Sequence, residues 1–225
     1  MDRKNEKRKH KLIETLKTLC EKYDIHLDDF QLNQFDSYYH FLVDYNEKVN
    51  LTSITKKNDI AVKHFLDSMI VSKFIDLKGK IIDIGTGAGF PGVPLKILNN
   101  SLDVTLLDSS HKKIKFLKML IDNIGLNIKL INSHTKEVSK QYLRKYDFSI
   151  ARAVAPMYKL CKFCIPFVKP GGYFIAMKGP SYINEINDPR FRCSNDFEVY
   201  RFSYGDEFGE RIILKIKNPP PQTWK

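Results

Sequence analysis

Two carboxylates and three glycines are spaced as a nucleoside-binding site requires. An apolar run, typical of a buried parallel strand, is followed by Gly85, Gly87 and Gly89. These glycines permit a tight turn and a close approach of the backbone to a ligand. Asp83 stands two residues before the first glycine, and a second apolar run ends in Asp108, nineteen residues after the third. Because Asp108 could accept hydrogen bonds from both hydroxyls of a ribose, the pattern predicts a nucleoside cofactor on a doubly wound sheet.

The glycine spacing favours one class of nucleoside cofactor. A dinucleotide site has the fingerprint G-x-G-x-x-G and binds a pyrophosphate at a helix N-terminus. Here the spacing is G-x-G-x-G, and the Asp83 carboxylate would repel a pyrophosphate but would suit a cation. S-adenosylmethionine carries an ammonium and a sulfonium and has no phosphate. We therefore predict S-adenosylmethionine as the cofactor, bound by Asp83, Gly85, Gly87 and Asp108, and disfavour a nicotinamide-dependent oxidoreductase.

Composition sets limits on the class of protein. The chain has 225 residues, of which 43% are hydrophobic and 28% charged, as expected for one α/β domain with a smaller appendage. No stretch approaches the roughly 20 apolar residues of a membrane span, and the N-terminus has no signal-peptide core. The sequence therefore predicts a cytoplasmic protein that does not enter a membrane.

The charge distribution bears on the substrate. The formal net charge is +11, and residues 81–225 hold 22 Lys and Arg against 13 Asp and Glu. A positive surplus on the part that carries the glycine motif suits a polyanionic substrate such as RNA. A generally lysine-rich sequence accounts for the same surplus, so charge alone does not decide between the two.

The four cysteines do not form a metal-binding pattern. Cys161 and Cys164 form a CxxC pair, but the sequence has no second such pair and no His pair that would complete a zinc site. We expect no metal, and we expect Cys20, Cys161, Cys164 and Cys193 to be small unpaired hydrophobes in a reducing compartment.

The hydrophobic periodicity divides the chain into two parts. Residues 1–78 are predicted to be helical, with a cap at Asp28 or Asp29 and a third helix over about 58–75. Residues 79–225 alternate between strand and helix and end in two strands too close for a parallel crossover, which predicts an antiparallel hairpin. Five parallel strands and a hairpin make the seven-stranded class I methyltransferase fold, an α/β Rossmann-like fold, here with an N-terminal helical extension. The predicted strands are 80–84, 103–108, 128–132, 147–151, 172–177, 196–203 and 211–217, and the predicted helices between them are 91–99, 111–124, 136–145, 156–165 and 181–186.

Several motifs outside the glycine turn are shared with one family. The chain resembles the bacterial small-subunit ribosomal RNA guanine-N7 methyltransferases, also called glucose-inhibited division protein B. The matching segments are Asn50-Leu-Thr-Ser-Ile54, His64-Phe-Leu-Asp-Ser68, residues 83–95, Leu106-Leu-Asp-Ser109, Ala151-Arg-Ala153 and Ala176-Met-Lys-Gly179. The resemblance implies methylation of N7 of a guanine in 16S ribosomal RNA, with that RNA or the small ribosomal subunit as partner. We expect the protein to be a monomer.

The resemblance also implies which residues contact the cofactor. They are Gly85, Phe90, Arg152 and the pair Thr135 and Lys136. The family usually has Arg-Ala-Glu where this chain has His134-Thr135-Lys136. If the usual Glu contacts adenosine through its side chain, Lys136 weakens the contact; if it does so through its backbone amide, little changes.

The chemistry of N7 methylation assigns roles to two cationic residues. Guanine N7 has an in-plane lone pair and no proton to lose, so the enzyme needs no general base and supplies position and electrostatics. Arg152 ends the fourth predicted strand, where it could hold the cofactor's carboxylate, an RNA phosphate or guanine O6. Lys178 follows the fifth strand at the same edge, where it could contact a phosphate. We name both as catalytic residues; the plainer alternative for Arg152 is an ion pair with a loop carboxylate.

Other interpretations remain open at this point. His64 and Asp67 lie one helical turn apart, where they could orient RNA or serve only the structure. Thr52 and Ser53 are interpreted as helix caps rather than catalytic hydroxyls. A methyltransferase acting on protein or on a small molecule is the main alternative function, and a non-catalytic RNA-binding protein is a further one.

Overall fold

The computed structural model describes residues 3–152, 154–193, 196–205 and 208–219. Ala153 of the Ala-Arg-Ala motif and residues 206–207 of the predicted hairpin turn lie outside these ranges. Within them, no helix has both the length and the apolar character needed to cross a bilayer.

A seven-stranded sheet forms the centre of the molecule, in the order β3-β2-β1-β4-β5-β7-β6. The strands are β1 Lys80–Ile84, β2 Asp103–Asp108, β3 Lys129–Asn132, β4 Tyr146–Arg152, β5 Val168–Lys178, β6 Phe197–Ser203 and β7 Glu210–Lys217. The first five run parallel, whereas β7 pairs antiparallel with both β5 and β6. The predicted class I methyltransferase fold and the predicted hairpin are both confirmed.

The parallel register brings the chemically important strand ends to one edge. Ile84 pairs with Leu107, so β1 and β2 end side by side, at Gly85 and at Asp108. On the other side of β1, Arg152 at the end of β4 pairs with Met177 of β5. Crevices outside the carboxyl ends of parallel strands are where open α/β sheets bind ligands.

Helices cover both faces of the sheet. They are α1 Arg3–Lys22, α2 Asp29–Asn46, α3 Lys57–Ile60, α4 Asp67–Met69, α5 Val71–Phe74, α6 Gly92–Leu98, α7 His111–Asn123, α8 Met157–Cys164 and α9 Tyr182–Ile186. The predicted cap of α2 is confirmed at Asp28, which forms a capping box with Gln31. The amide of Gln31 also donates to the carbonyls of Ile97 and Leu98, which ties α2 to the end of α6.

The N-terminal helices and one face of the sheet share a single hydrophobic core. Leu16, Phe35 and Phe65 are fully buried in the same cluster as Ile81 and Phe116. This burial fixes α2 and the segment after it against the glycine turn. The division into domains 1–78 and 79–225 stays a prediction.

The third predicted helix is interrupted. Between α3 and α4, residues Ala61–Leu66 form a π-helix, in which the Asp67 N–H reaches back to the Val62 carbonyl. Such wide turns are common at functional sites because they re-aim side chains. Here the wide turn contains His64 and is followed directly by Asp67, both of which are buried.

The predicted helix over 136–145 is wrong. The segment holds only a single 3₁₀ turn, Lys140–Tyr142. Among residues 136–145, only Val138 is buried, with Tyr142 and Leu143 partly buried against the core, so the segment lacks the long apolar stripe that would hold a helix on the sheet. A short helix without such a stripe is not stable by its own propensity.

The interpretation of all four cysteines as unpaired is also wrong. Cys161 of α8 and Cys193 form a disulfide across 32 residues of sequence, whereas Cys20 and Cys164 are free and buried. Cys164 lies in the core as expected, whereas Cys161 meets a partner that is distant in sequence.

Candidate functional site

A cavity of about 460 Å³ opens at the carboxyl edge of the sheet, beside the glycine turn. Six of the predicted site residues line it: Gly85, Gly87, Phe90, Asp108, Thr135 and Arg152. Two others, Asp83 and Lys136, lie outside its lining, and Lys178 lines a neighbouring cavity. The strand ends therefore bring together residues that are far apart in sequence.

The glycine turn is hydrogen-bonded to the end of β2. The N–H groups of Gly85 and Thr86 donate to the Leu107 carbonyl at 2.8 and 3.1 Å. Gly87 has a φ of +63°, and a Cβ placed on it would meet nothing within 4 Å. The positive φ requires glycine, and the open space leaves the backbone free to touch a ligand.

Asp108 faces the turn from the end of β2. Its Oδ2 accepts from the Gly87 N–H at 3.0 Å, and its Oδ1 accepts from the Ser110 N–H at 2.9 Å. Lys113 Nζ lies 3.5 Å from Oδ2. A carboxylate has about four lone-pair sites. These partners therefore orient Asp108 and leave it acceptor capacity toward the cavity.

Asp83 lies beneath the turn rather than in the cavity. The side chain is fully buried, and its Oδ2 accepts from Thr86 Oγ1 at 2.7 Å and from the Gly92 N–H at 2.8 Å. It thus ties the turn to the start of α6. A direct contact between Asp83 and a cofactor stays a prediction, and its observed partners are all within the turn and the helix.

The burial of Asp83 makes stability depend on pH. Desolvation raises the pKa of this carboxyl from 3.8 to about 6, against the opposing hydrogen bonds from Thr86 and Gly92. A raised pKa in the folded state favours folding at low pH, and this contribution is lost as the pH rises from about 4 through 6. As the pH rises over that interval, the unfolding free energy of Asp83→Asn should increase relative to that of the wild type by on the order of 2 kcal/mol, because the buried amide does not titrate.

Chemical denaturation of both proteins between pH 4 and 8 measures this difference. The gap between wild type and Asp83→Asn should change below about pH 7 and be flat above it. A gap that stays constant from pH 4 to 8 would show that Asp83 is ionised throughout.

Thr135 and Lys136 have different surroundings in the turn after β3. Thr135 lines the cavity, and its Oγ1 is buried with no hydrogen-bond partner among the described residues. The Lys136 side chain is exposed to solvent. A contact through the Lys136 backbone stays a prediction.

Three rings are stacked at the inner end of the cavity. Phe90 lies between Tyr38 and His64, with ring centroids 5.2 and 4.3 Å away and nearly parallel planes. The Tyr38 hydroxyl donates to the Ala88 carbonyl, so the N-terminal helices also support the glycine turn. The Arg152 guanidinium lies 5.0 Å from the centre of the Phe90 ring.

Arg152 lines the cavity, and its side chain is bound to the interrupted helix. Its Nη1 donates to Asp67 Oδ2 at 2.9 Å and to the Lys63 carbonyl at 2.7 Å. Its Nη2 lies 3.1 Å from His64 Nδ1. Arg152 therefore does form an ion pair, as the plainer alternative expected, but its partner Asp67 lies on a helix and not in a loop. A cofactor or substrate contact by Arg152 stays a prediction.

His64 is neutral and held at both ring nitrogens. Burial and then the Arg152 charge lower the pKa of its imidazole from 6.5 to about 3. Its Nε2 lies 2.9 Å from Thr52 Oγ1. The interpretation of Thr52 and Ser53 as helix caps is wrong, because α3 has Lys56 at its cap position and no side-chain cap.

A second cavity of about 380 Å³ shares Arg152 and His64 with the first. Lys178 lines it, and its ammonium bonds to the Ala155 carbonyl and to Glu185 at 2.7 Å. Lys63 and Arg211 line the same cavity. A phosphate would have to compete with Glu185 for Lys178, whose predicted phosphate contact is untested.

Comparison with known proteins agrees with this geometry. A family model described as rRNA small subunit methyltransferase G matches residues 31–208. The chain belongs to this family. Two relatives are named ribosomal RNA small subunit methyltransferase G. The one from a Thermoanaerobacter species is 45% identical, and the alignment covers 94% of this chain and 93% of the relative. The one from Clostridium novyi is 44% identical, and the alignment covers 92% of this chain and 90% of the relative.

The fold is similar to that of more distant solved methyltransferases. A methyltransferase from Pyrococcus furiosus is 14% identical and superposes with a TM-score of 0.57 over 83% of this chain and 98% of its own. A SAM-dependent O-methyltransferase from Thermotoga maritima is 16% identical, with a TM-score of 0.56 over 82% and 73%. At this level of identity the likeness concerns the fold alone.

The residues present in this family member fit S-adenosylmethionine. The open face of Gly87, the oriented carboxylate of Asp108 and the unpartnered hydroxyl of Thr135 lie around one cavity. Gly87 offers a backbone surface, Asp108 offers an acceptor for the ribose hydroxyls, and Thr135 offers a hydroxyl that could bond to the edge of the adenine base. Among the described ranges, no three His, Cys, Asp or Glu side chains are grouped as a metal site requires.

Several residues of this site were not predicted from sequence. Tyr38, Glu185, Tyr204 and Arg211 have no role assigned from the sequence. Arg211 Nε and the Tyr204 hydroxyl both bond to Asp67 Oδ1, at 3.1 and 3.2 Å. No local pattern marks Arg211 and Tyr204, since Asp67 lies more than 130 residues from both of them. A buried acid such as Asp67 is the signal that cationic partners must exist.

Proposed function

We propose that this chain transfers a methyl group from S-adenosylmethionine to N7 of a guanine in small-subunit ribosomal RNA. The observation that carries the proposal is the cavity in which Gly87 and Asp108 face one another beside Phe90 and Arg152. Membership of the rRNA small subunit methyltransferase G family supports the RNA substrate. The proposal places the reaction in the cytoplasm, and a monomeric enzyme stays a prediction.

The chain's own residues supply position and electrostatics for this reaction. When bound, S-adenosylmethionine provides an electrophilic methyl carbon on a cationic sulfur. Asp108 offers its carboxylate to a ribose, and the Leu51, Phe90 and Val154 side chains make part of the cavity wall apolar. An apolar wall limits the water that could compete for the reacting atoms.

The hydrogen bonds at the site suit a reaction that needs no general base. N7 attacks with its own lone pair, so no proton has to leave first. His64 has both ring nitrogens engaged, and the Arg152 guanidinium has only N–H donors and no acceptor. Neither residue has to act as a base for the proposed reaction.

Mapping of methylated nucleosides tests the proposed function. We expect RNA from cells that lack the protein to miss one 7-methylguanine in the small-subunit ribosomal RNA and to regain it on complementation. Calorimetry should show binding of S-adenosylmethionine and of its demethylated product, and weaker or no binding of NAD. An unchanged ribosomal RNA together with methylation of a protein or a small molecule would favour the alternative substrate classes.

Binding of RNA is expected to be sensitive to salt. Lys63, Lys178 and Arg211 line the second cavity, and residues 81–225 carry a positive surplus. Because phosphate contacts release counterions, affinity for ribosomal RNA should fall steeply, roughly tenfold or more between 50 and 200 mM salt. Filter binding across that range measures the slope. A flat response would argue for a neutral substrate.

A further inference from the structure

The backbone around Thr52 is held independently of its side chain. The Asn46 side chain accepts from the N–H groups of Leu51 and Thr52 at 2.7 and 2.9 Å and donates to the Thr52 carbonyl at 3.0 Å. Asn46 is the last residue of α2, which is packed in the core. Thr52 is therefore placed at the cavity wall by its neighbours, and its hydroxyl is not needed to hold it there.

Arg152 determines which ring nitrogen of His64 carries the proton. A guanidinium can only donate, so the contact between Arg152 Nη2 and His64 Nδ1 makes Nδ1 the acceptor. A neutral imidazole then carries its proton on Nε2. That N–H donates to Thr52 Oγ1, 2.9 Å away.

Thr52 Oγ1 thus receives two hydrogen bonds. One comes from His64 Nε2 and the other from the Ile54 N–H at 3.1 Å. A hydroxyl oxygen has two acceptor sites and one proton to donate. Both acceptor sites are used, and in the part of the chain that the structure describes no group accepts the Thr52 proton. The hydroxyl lies at the wall of the first cavity.

We propose that Thr52 is a positioning residue whose hydroxyl donates a hydrogen bond to an oxygen of a reactant held in the first cavity. The Arg152–His64 pair directs this donor, because it occupies the lone pair that would otherwise let the hydroxyl rotate. Two reactant oxygens have the required chemistry, guanine O6 and the carboxylate of the cofactor. The inference rests on the proposed function only if the acceptor is guanine O6; a hydrogen bond to the cofactor carboxylate does not depend on the RNA substrate.

Guanine O6 is a suitable acceptor for a single fixed donor. It lies beside N7 on the same edge of the base. A hydrogen bond to N7 would occupy the lone pair that must attack, whereas a bond to O6 orients the base and leaves N7 free. Thr52 sits beside Leu51, whose apolar side chain lines the same wall.

Removal of the hydroxyl tests the proposal. We compare Thr52→Val, which keeps the shape, with Thr52→Ser, which keeps the hydroxyl, and use Ser53→Ala at the exposed neighbouring position as the matched control. Thr52→Ser and Ser53→Ala should melt like the wild type. Thr52→Val should melt somewhat earlier, because the His64 Nε2–H and the Ile54 N–H lose their acceptor, but it should fold, because Asn46 holds the backbone. The measurements are calorimetric binding of S-adenosylhomocysteine and single-turnover methylation of ribosomal RNA.

The two reactant oxygens give different results. If the acceptor is the cofactor carboxylate, Thr52→Val weakens binding of S-adenosylhomocysteine about ten- to hundredfold. If it is guanine O6, that binding is unchanged and methyl transfer falls about three- to tenfold. In the second case, RNA with 2-aminopurine at the mapped target lacks O6, so wild type and Thr52→Val should methylate it at equal rates.

A double-mutant cycle tests the role of His64 in directing the hydroxyl. In a His64→Leu background the Thr52 oxygen loses one donor, so Thr52→Val should cost less than it does in the wild type. Thr52→Val with wild-type cofactor binding and wild-type transfer would overturn the proposal. A wild-type protein that binds S-adenosylhomocysteine but does not methylate ribosomal RNA would instead contradict the proposed function, and the binding measurement would still test Thr52.

Discussion

Arg152→Ala should both unfold more easily and lose methyl transfer. The substitution leaves Arg211 and Tyr204 as the remaining partners of the buried Asp67 carboxylate among the described residues, and it frees His64 Nδ1 and the Lys63 carbonyl. Breaking a mostly buried ion pair costs about 3 kcal/mol, which for a protein of this size lowers the melting temperature by roughly 6–12 °C. Activity should fall further than the folded fraction, because the donor network around the cavity is lost.

Arg152→Lys separates charge from geometry. Lysine keeps the positive charge but cannot serve Asp67, His64 and a backbone carbonyl with a planar fork, so it should recover only part of the lost activity. Arg190→Ala is the matched control, since Arg190 pairs with Asp188 at an exposed position and its loss should leave melting and activity unchanged.

Melting curves and single-turnover methylation together distinguish the roles of Arg152. If Arg152→Ala melts early but the folded protein transfers methyl groups normally, Arg152 is a structural residue and its ion pair with Asp67 is its whole function. If it transfers methyl groups at the wild-type rate and melts normally, both assignments are wrong.

Asp108→Ala should weaken cofactor binding about ten- to hundredfold, as expected for losing hydrogen bonds to a charged group. Part of the effect is direct, since the carboxylate is the predicted acceptor for the ribose hydroxyls. Part comes through the turn, because Asp108 holds the Gly87 N–H and the Ser110 N–H. Isothermal calorimetry with S-adenosylmethionine measures the change.

Asp108→Asn tests which part dominates. The amide oxygen can still accept from one of the two backbone N–H groups, but the charge that faces Lys113 is gone. We expect an affinity between those of the wild type and Asp108→Ala. Wild-type affinity in Asp108→Ala would exclude Asp108 from the cofactor site and leave the nucleoside to be bound elsewhere.

Local patterns in the sequence were sufficient to predict the strands and the glycine turn. The apolar runs before Gly85 and Asp108 have the composition of buried parallel strands, and strand burial depends mainly on such runs. The cap at Asp28 also follows from residues three apart. These features were predictable because each depends on neighbours in sequence.

Local patterns failed where an element needs a surface to pack against. Residues 136–145 contain helix-forming residues, yet only Val138 of this segment is buried, and no helix results beyond one 3₁₀ turn. The disulfide of Cys161 was missed for a related reason, since Cys193 is brought to α8 only by the path of the chain after α9.

By itself, the sequence determined the fold class, the nucleoside-binding turn and the choice of cofactor, because parallel strands place their carboxyl ends at a common edge whatever the loops do. Only the tertiary structure decided how the polar side chains at that edge are partnered. Arg152 meets Asp67 across 85 residues, and the interrupted helix aims His64 between Arg152 and Thr52. The protonated nitrogen of His64, and with it the direction of the Thr52 hydroxyl, follows from those contacts, which join elements that no spacing in the sequence relates.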